Sequence, residues 1–388
     1  MNLVLFDGKD RDELLPLVFH CSISDLRVGI DTLREKWENQ WNGKVFCQVP
    51  DYLGGKYPAL PDGEVVYVYA GVVPNPEFIQ ALMGLKLGAR VYKDGKCIAA
   101  KLSGEFQDSE SSDKSNKFEK ELLVIRKPWD VFKMNDQVLK ADFHRITMGR
   151  KSNPIPGSNT CIGEDIFLEE GAKVEASILN ASSGPIYLGK NAEIMEGSMV
   201  RGGLALCESA VLKLGTKIYG ATTIGPFSKV GGEVNNSVIR GYSNKGHDGF
   251  LGNSVLGEWC NLGADTNNSN LKNNYSSIKV YSYASNDYQN TGLQFCGLIM
   301  GDHSKTGINT MLNTGTVVGS NANIFGGGFP PKHIPSFSWG GADGMVPFNL
   351  DKAKEVATRM MERRGIQFDE HENHVFEYLF QETESDRN

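Results

Sequence analysis

Residues 188–230 read LGKNAEIMEGSMVRGGLALCESAVLKLGTKIYGATTIGPFSKV, and an apolar residue recurs at every sixth position of this stretch. The members of this ladder are Leu188, Ile194, Val200, Leu206, Leu212, Ile218, Ile224 and Val230. A period of six matches neither the 3.6 of an α-helix nor the 2 of a β-strand. Gly189 and Gly225 directly follow ladder members, as expected at chain corners that need a left-handed φ or close backbone approach. Eight apolar residues in phase argue against chance periodicity in an ordinary sheet protein.

The ladder resembles the hexapeptide repeat of left-handed parallel β-helices, in which each six-residue unit forms one wall of a triangular prism. One coil cannot bury its own apolar face, so several coils must stack. The period continues later in the chain, at Met300, Thr306, Leu312, Val318 and Ile324, with a shorter series at Phe250, Leu256 and Leu262. We therefore predict an all-β left-handed parallel β-helix over residues 151–330, with irregular loops at 175–187 and 264–297.

Composition and charge limit the classes of protein that fit this chain. The 388 residues suggest two or three domains, and the 44 glycines suit a solenoid with many corners. A net charge of −7 argues against nucleic acid or an anionic membrane as a partner. No apolar run approaches the roughly 20 residues of a membrane span, and the N-terminus lacks signal-peptide features. Seven scattered cysteines fit reduced thiols, so we expect a cytoplasmic protein without a disulfide framework or zinc site.

The first 125 residues alternate between strand and helix patterns. Residues 2–6, 45–49 and 65–69 have the apolar content of buried strands, and residues 76–85 have a helical pattern. Another helix is predicted to begin near Ser24–Asp25, a good N-cap pair. Its apolar stripe consists of Leu26, Ile30, Leu33, Trp37 and Trp41. This alternation predicts an α/β domain with a parallel sheet.

This N-terminal domain resembles a shortened sugar nucleotidyltransferase domain. Members of that family open with a strand and a Gly-rich loop that ends in Arg, followed by Pro-Leu. Residues 5–17, LFDGKDRDELLPL, stand in that place. The resemblance implies nucleotide binding near Gly8, Lys9 and Arg11, although solvated loop charges are the simpler interpretation of the two basic residues.

The same family places a Mg²⁺-binding aspartate after a central strand. The matching stretch here, residues 69–74, reads YAGVVP and puts Val72 at that position. Mg²⁺ requires oxygen ligands, which valine does not supply. We therefore expect no metal site and a degenerate domain that transfers nucleotides poorly, with Mg²⁺ needed only if nucleotidyl transfer persists.

Two further regions are predicted outside the prism. Residues 126–150 resemble the linker helix of bifunctional nucleotidyltransferase–acyltransferases, with Trp129, Val131, Phe132, Leu139 and Phe143 on its buried face. Residues 107–117 contain no apolar residue and are expected to form a solvated loop.

The chain after the prism, residues 331–388, is predicted to be helical. One helix covers Leu350–Arg364, and a shorter one contains Val375, Phe376, Leu379 and Phe380. We expect these helices to cover the open end of the prism, because a solenoid needs capping. The tail at 382–388 is expected to be disordered.

The six-residue frame breaks between Val230 and Phe250, and polar residues are concentrated there. Residues 244–252 read NKGHDGFLG, and residues 259–270 read WCNLGADTNNSN. From His247 to the end of the second stretch, the pattern resembles without a gap the acetyltransferase domain of the bifunctional enzymes that make UDP-N-acetylglucosamine. The resemblance implies acyl transfer from acetyl-CoA.

The resemblance makes His247 the general base that deprotonates the attacking amine or hydroxyl, since imidazole can accept a proton at neutral pH. The substrate-binding candidates are Phe250, Asn261, Asn270 and Lys245. The residues matched to acyl-CoA contacts are Gly263 and Ala264. Asn235 stands where the family has a phosphate-binding lysine, and the candidates to replace that charge are Lys229, Arg240 and Lys245.

Simpler interpretations exist for several of these residues. Most asparagines between 235 and 274 also suit turns at β-helix corners. His247 could be an ordinary histidine of a surface loop. His303 lies on an in-phase coil, so it is a structural residue or a contact to CoA or a neighbouring subunit. Cys260 has no activating base near it in sequence and is not expected to be a nucleophile.

The whole chain looks most like a bacterial family of sugar nucleotidyltransferases with a left-handed β-helix, whose motif is matched by residues 26–37, LRVGIDTLREKW. The resemblance implies a homotrimer acting on a small-molecule sugar phosphate or nucleotide sugar. The leading hypothesis is acetyl-CoA-dependent acyl transfer to an amino or hydroxyl group of a sugar or sugar phosphate. One alternative is sugar-1-phosphate nucleotidyl transfer, and another is a non-catalytic trimeric scaffold that binds sugar nucleotides.

Overall fold

The computed structural model describes residues 1–107 and 116–387. The chain divides into two compact units. The first consists of Met1–Leu14, His20–Leu26 and Asp31–Lys127, and the second of Leu15–Phe19, Arg27–Ile30 and the chain from Pro128 onward. Residues 108–115 of the predicted solvated loop lie outside the described residues.

The first unit contains a five-stranded mixed sheet. Its strands are β1 (Asn2–Phe6), β2 (Val45–Gln48), β3 (Glu64–Tyr69), β4 (Arg90–Lys93) and β5 (Lys96–Ser103), in the order β2-β1-β3-β5-β4. β1 pairs in parallel with β2 and β3, whereas β5 is antiparallel to both β3 and β4. The α/β class is confirmed, but the prediction of a parallel sheet is wrong. Residues 94–95 connect β4 and β5 as a tight hairpin, and two residues are too few for the crossover that parallel strands need.

Two helices accompany this sheet, α1 (Leu33–Gln40) and α2 (Pro76–Met83). α1 begins eight residues later than predicted, because Thr32 and Glu35 form a capping box at its start. Every member of the predicted apolar stripe is buried, but Leu26 and Ile30 precede the helix. A helix could not run through them, since Gly29 has a φ of +73°.

The second unit begins with helix α3 (Asp130–Thr147), inside the predicted connector. Residues 27–30 form a non-helical strap that bonds both to α3 and to the β-helix. The N–H of Gly29 donates to Asn135 Oδ1 at 2.7 Å, and the N–H of Ile30 donates to Asp142 Oδ2 at 2.8 Å. The Gly29 carbonyl accepts from Thr223 Oγ1 at 2.9 Å. This strap explains the glycine in the motif at residues 26–37.

A parallel β-helix follows, with three walls. The first wall contains Ile166–Leu168, Ile186–Leu188, Leu204–Leu206, Thr222–Ile224, Val238–Gly241, Val255–Glu258, Leu298–Met300, Thr316–Val318 and His333–Ile334. The second contains Lys173–Val174, Glu193–Ile194, Val211–Leu212, Lys229–Val230, Asn244–Lys245, Asn261–Leu262, Lys305–Thr306, Asn323–Ile324, Ser338–Gly341 and the antiparallel Gly344–Pro347. The third contains Thr160–Ile162, Ile178–Asn180, Met199–Arg201, Lys217–Tyr219, Glu233–Asn235 and Phe250–Gly252, and the pair Asn267–Asn268 and Met311–Leu312 follows.

The apolar ladder fills this prism as predicted. All eight members between Leu188 and Val230 are at most 2% exposed and belong to one core cluster. The corner glycines serve close approach, since a Cβ on Gly225 would lie 1.8 Å from the carbonyl oxygen of Arg240. The predicted left-handed parallel β-helix is therefore confirmed, and its strands continue past residue 330 to Gly341.

The predicted frame break is a shortening of the coils. The inward positions after Val230 are Val234, Ile239, Lys245, Leu251, Leu256, Leu262 and Asn268. The spacing falls to four and then five residues, returns to six, and falls to five once more between Leu251 and Leu256. Counting in sixes predicts Phe250 on the ladder, and this prediction is wrong, because its neighbour Leu251 is the buried residue.

Both predicted irregular loops contain regular strands. Ile178–Asn180 in the first belongs to the third wall, and Leu179 is fully buried. In the second, Asn267–Asn268 continues the coil, and Lys279–Ser282 pairs with Asp287–Asn290 as an antiparallel hairpin. The prediction of irregular structure is wrong there, because a three-residue wall is too short to show strand periodicity.

The C-terminal segment forms α4 (Leu350–Glu362), α5 (Glu370–Glu382) and α6 (Glu384–Arg387), so the expected disordered tail is helical at 384–387. α4 lies beside the second wall, and Met345 of the final hairpin packs on the end of the prism core. The helices therefore flank the side of the prism, contrary to the expected end cap. Within residues 1–107 and 116–387, no helix has the length and apolar character of a membrane span.

Candidate functional site

His247 lies at an exposed corner of the β-helix, between the second and third walls. The strand Asn244–Lys245 ends just before it, and Phe250–Gly252 begins just after it. The corner of the next coil stacks directly on this one, because the N–H of Asp265 donates to the carbonyl of Asp248 at 3.0 Å. His247 is thus exposed on a backbone corner that is hydrogen-bonded to the next coil.

Gly263 and Ala264 lie at the stacked corner of the next coil. The structure therefore brings these two predicted acyl-CoA contacts and His247 to one edge of the prism. The N–H of Gly263 already donates to the Thr306 carbonyl and hydroxyl, both at 3.1 Å, and the Ala264 carbonyl accepts from Asn309 at 2.8 Å. These bonds fix the backbone of this corner.

Lys245 points into the prism and is only 2% exposed. Its ammonium donates to the carbonyls of Gly231 at 2.9 Å and His247 at 3.0 Å. Burial lowers the pKa of this lysine to about 8, and the carboxylates of Asp248 and Asp265 partly oppose that effect. The prediction of Lys245 as a substrate ligand is corrected, because its ammonium is directed at the backbone of the His247 corner.

Phe250 and Asn270 meet on the third wall. A Cβ on Gly252 would lie 2.5 Å from Phe250 Cζ and 2.6 Å from Asn270 Nδ2, so both side chains cover that glycine. The Asn270 amide also donates to Asn253 Oδ1 at 2.8 Å. These two predicted substrate contacts therefore lie beside one another on the wall that follows the His247 corner.

Asn268, which the sequence did not single out, organises the same wall from inside. It is 4% exposed, and its amide accepts from the Gly252 N–H at 2.9 Å and donates to the Gly252 carbonyl at 3.1 Å. The signal in the sequence was a polar residue at an inward-facing position. That position could not be recognised by counting in sixes, because some of the preceding coils are shorter.

Asn261 lies on the second wall and lines a cavity of about 390 Å³. We name this the basic cavity, and its lining residues are Lys229, Tyr242, Asn244, Trp259, Asn261, Lys305, Met360, Arg363 and Arg364. Four cations and no carboxylate therefore line it. The sequence indicated Lys229 as a possible source of phosphate-binding charge. It did not indicate the two arginines, which lie more than 100 residues away, directly after α4.

Aromatic rings form the edge of the prism next to this cavity. Tyr242 stacks on Phe227 at 5.2 Å and on Trp259 at 4.4 Å, and Trp259 stacks on His303 at 6.2 Å. His303 is 3% exposed and also contacts Phe376 of α5, so it occupies a packing position. The faces of the Tyr242 and Trp259 rings are therefore covered by neighbouring rings.

Two other residues considered from the sequence are buried. Arg240 is 3% exposed, pairs with Asp302 at 3.2 Å and donates to the Leu17 carbonyl at 3.0 Å. It is therefore not a surface phosphate ligand. Cys260 is fully buried, and burial raises the pKa of its thiol to about 12, which disfavours the thiolate that a nucleophile requires.

A second cavity, of about 270 Å³, lies in the first unit at the carboxyl ends of β1 and β2. Gly8 and Lys9 line it together with Asp7, Gln48 and Phe106. Ligands commonly bind at this edge of a parallel α/β sheet.

Arg11 differs from the other two nucleotide-binding candidates because it is buried. It pairs with Asp7 and donates to the Cys21 carbonyl and the Tyr52 hydroxyl, each at 3.0 Å. Its guanidinium therefore supports the fold of this loop.

Val72 is fully buried, and its carbonyl accepts from Trp37 Nε1 at 3.0 Å. In the part of the chain that the structure describes, no three His, Cys, Asp or Glu side chains are grouped so that they could hold a metal ion. The Val72 position thus supplies no side-chain oxygen ligand.

Comparisons with known proteins found a family model, curated relatives and solved structures that match this chain. The model of the family described as sugar nucleotidyl transferase matches residues 3–151. Bifunctional protein GlmU from Synechococcus elongatus is 25% identical over 185 residues, which cover 45% of this chain and 36% of that protein. The bifunctional sugar-1-phosphate nucleotidylyltransferase/acetyltransferase from Sulfurisphaera tokodaii is 28% identical over 193 residues, which cover 49% of this chain and 47% of that protein.

Among solved structures, LpxA, a UDP-N-acetylglucosamine acyltransferase from Bacteroides fragilis, matches 59% of this chain and 96% of its own, with 14% identity and a TM-score of 0.27. The chain spans about a third to a half of the length of the two curated relatives. Residues 3–151 therefore match the sugar nucleotidyl transferase family, and the chain is similar to bifunctional nucleotidylyltransferase/acetyltransferase proteins.

Proposed function

We propose that this protein transfers an acetyl group from acetyl-CoA to an amino or hydroxyl group of a sugar or sugar phosphate. The observation that carries the proposal is the position of His247, exposed at a corner stacked on Gly263 and Ala264. Asn261 lies on the wall before this corner, and Phe250 and Asn270 lie on the wall after it. A base, a backbone surface and polar contacts are thus grouped at one edge of the prism.

In this proposal, acetyl-CoA supplies a thioester whose carbonyl carbon accepts the nucleophile. His247 takes the proton of the amine or hydroxyl as the new N–C or O–C bond forms, and it returns that proton to the sulfur as the C–S bond breaks. The Gly263 N–H already donates to Thr306. We therefore assign the Ala264 N–H as the backbone donor to the acyl carbonyl. Lys245 holds the His247 carbonyl and so fixes the corner on which the base lies.

The test is a comparison of wild type with His247→Ala. We expect acetyl-CoA to bind both proteins with similar affinity by calorimetry. Turnover with an acceptor sugar should fall by about 10²–10⁴ in the variant, because a general base contributes that much. His371→Ala, which removes an exposed histidine of α5, is the matched control and should retain full turnover. Absence of acetyl-CoA binding to the wild type at millimolar concentration would refute the acyltransferase proposal.

A second candidate function is sugar-1-phosphate nucleotidyl transfer in the first unit. It is supported by the family match over residues 3–151 and by the cavity that Gly8 and Lys9 line. Mg²⁺-dependent turnover of a nucleoside triphosphate with a sugar phosphate, weakened by Lys9→Ala, would establish it. Turnover without Mg²⁺ dependence, or none at all, would count against it. A protein that binds sugar nucleotides but lacks both activities would match the non-catalytic scaffold.

A further inference from the structure

The basic cavity concentrates positive charge in a protein whose overall charge is negative. Two lysines and two arginines line about 390 Å³, while the whole chain has a net charge of −7. In residues 1–107 and 116–387, no carboxylate forms an ion pair with Lys229, Lys305, Arg363 or Arg364. The nearby Glu258 is 3.8 Å from the buried guanidinium of Arg240. Four cations held together without such compensation repel one another, and a bound anion would relieve that repulsion.

The positions of the cations come from different parts of the fold. Lys229, Asn244, Asn261 and Lys305 occupy one register on the outer face of four consecutive strands of the second wall. Arg363 and Arg364 approach from the end of α4. A wall of fixed spacing therefore faces an arginine pair, whose planar guanidinium groups suit oxyanions with more than one oxygen.

Lys305 supports the same interpretation. It is half-buried, its ammonium donates to the His303 carbonyl at 2.5 Å, and burial lowers its pKa to about 8. A nearby anion favours the charged form of a buried ammonium, so an anion in contact with Lys305 would stabilise it. The side-chain amides of Asn244 and Asn261 add donors and acceptors that suit hydroxyl groups. The ring faces of Tyr242 and Trp259 are occupied, which argues against a cavity built for base stacking.

We infer that the basic cavity binds the phosphate of a phosphate ester, with Lys229, Lys305, Arg363 and Arg364 as the phosphate ligands. A phosphate monoester has close to two negative charges and three terminal oxygens, which matches four cations better than a single carboxylate does. Asn244 lies three residues before His247, so the cavity and the proposed base are on adjoining parts of one coil. Assigning this phosphate to the acyl acceptor or the acyl donor rests on the proposed function.

The experiment is calorimetric titration of the full chain with inorganic pyrophosphate, glucosamine 1-phosphate and CoA. The double variant Arg363→Gln/Arg364→Gln removes two cations from the cavity. The control Lys352→Gln/Arg359→Gln removes two cations from exposed positions of α4, so the total charge is matched. Circular dichroism and thermal unfolding of each variant establish that it is folded.

We expect pyrophosphate to bind the wild type and the control, and to bind the cavity variant at least tenfold more weakly, which corresponds to about 1.4 kcal/mol. A parallel loss for glucosamine 1-phosphate assigns the site to the acceptor, and a parallel loss for CoA assigns it to the donor. Equal pyrophosphate affinity in the wild type and the folded cavity variant overturns the inference, as does no pyrophosphate binding at several millimolar. Acetyl-CoA binding without pyrophosphate binding would refute this site alone, and the reverse would refute the acyltransferase.

Discussion

Lys245 places an ammonium group inside a prism whose other inward residues are mostly aliphatic. Two backbone carbonyls receive it, and one of them belongs to His247. Burial nevertheless disfavours the charged form, so the pKa falls from the ordinary 10.5 to about 8. Lys245, two residues before the proposed base, thus fixes the backbone of the His247 corner and lowers the stability of the fold at neutral pH.

This pKa shift predicts a particular pH dependence. Between pH 8 and 10.5 the unfolded chain keeps the Lys245 proton while the folded chain has released it, so stability rises with pH in that window. Below pH 8 both states are protonated and the full penalty applies. Relative to Lys245→Met, the wild type should gain roughly 3 kcal/mol of unfolding free energy from pH 7 to pH 10.5. Urea unfolding of both proteins across this range measures the difference, and a constant difference would contradict the shift.

The inward orientation of Asn268 and the grouping of charges in the basic cavity could not be predicted from the sequence. A polar side chain at an inward position is visible only once the register is known, and coils of four- and five-residue spacing shift that register. Arg363 and Arg364 resemble the cations usual at the end of a helix. Their relation to Lys229 depends on tertiary packing over more than 100 residues, which no local pattern reports. The grouping of His247 with Gly263 and Ala264, by contrast, follows from corners stacked one coil apart.

Among the elements, the strap at residues 27–30 is the one that the helical pattern concealed. Leu26 and Ile30 have helical spacing and are buried, yet the chain between them is not helical. Gly29 and Ile30 are instead held by α3 and the β-helix. The N–H groups that a helix would use internally are taken by Asn135 and Asp142. Side chains of α3 therefore decided this local structure, against the intrinsic preference of the segment.

The strap gives a sharp prediction at Gly29. A Cβ there would lie 2.4 Å from Asp142 Oδ2 and 2.8 Å from Val138 Cγ1, and the φ of +73° adds strain. Gly29→Ala should lower the unfolding free energy by about 3 kcal/mol or more. Gly215→Ala has a similar φ of +68° but open space around it, so it should cost only about 1 kcal/mol. Chemical denaturation of both variants gives the comparison, and equal losses would show that the contact with α3 contributes nothing.

At the scale of the whole molecule, the ladder between Leu188 and Val230 was sufficient to predict the β-helix. Each wall repeats the same inward position, so a long run of constant spacing reports the coil directly. The mixed sheet of the first unit was not predictable in the same way, because strand direction depends on pairing partners. The side-on placement of α4 was also missed, since its apolar face indicates burial but not the surface against which it packs.

The third wall leads to a prediction about assembly. Ile162, Ile178 and Met199 on its outer face are 46%, 42% and 45% exposed, an apolar surface that a partner chain could cover. We expect a homotrimer, with three times the chain mass of 42.6 kDa in sedimentation equilibrium. Met199→Glu should shift the mass toward one chain, whereas Met83→Glu, at an exposed site of α2, should not. A wild-type protein that sediments as a single chain would rule out the expected trimer.

The stacked rings of Phe227, Tyr242, Trp259 and His303 have a consequence of another kind. Neighbouring rings are 4.4–6.2 Å apart and within 10–13° of parallel, one from each successive coil. Aromatic chromophores that stack nearly parallel at such separations couple their electronic transitions, so we expect this edge to produce a near-ultraviolet circular dichroism band of its own. Tyr242 and Trp259 also border the basic cavity. We therefore expect the intensity of this band to change both when the β-helix unfolds and when an anion binds in the basic cavity.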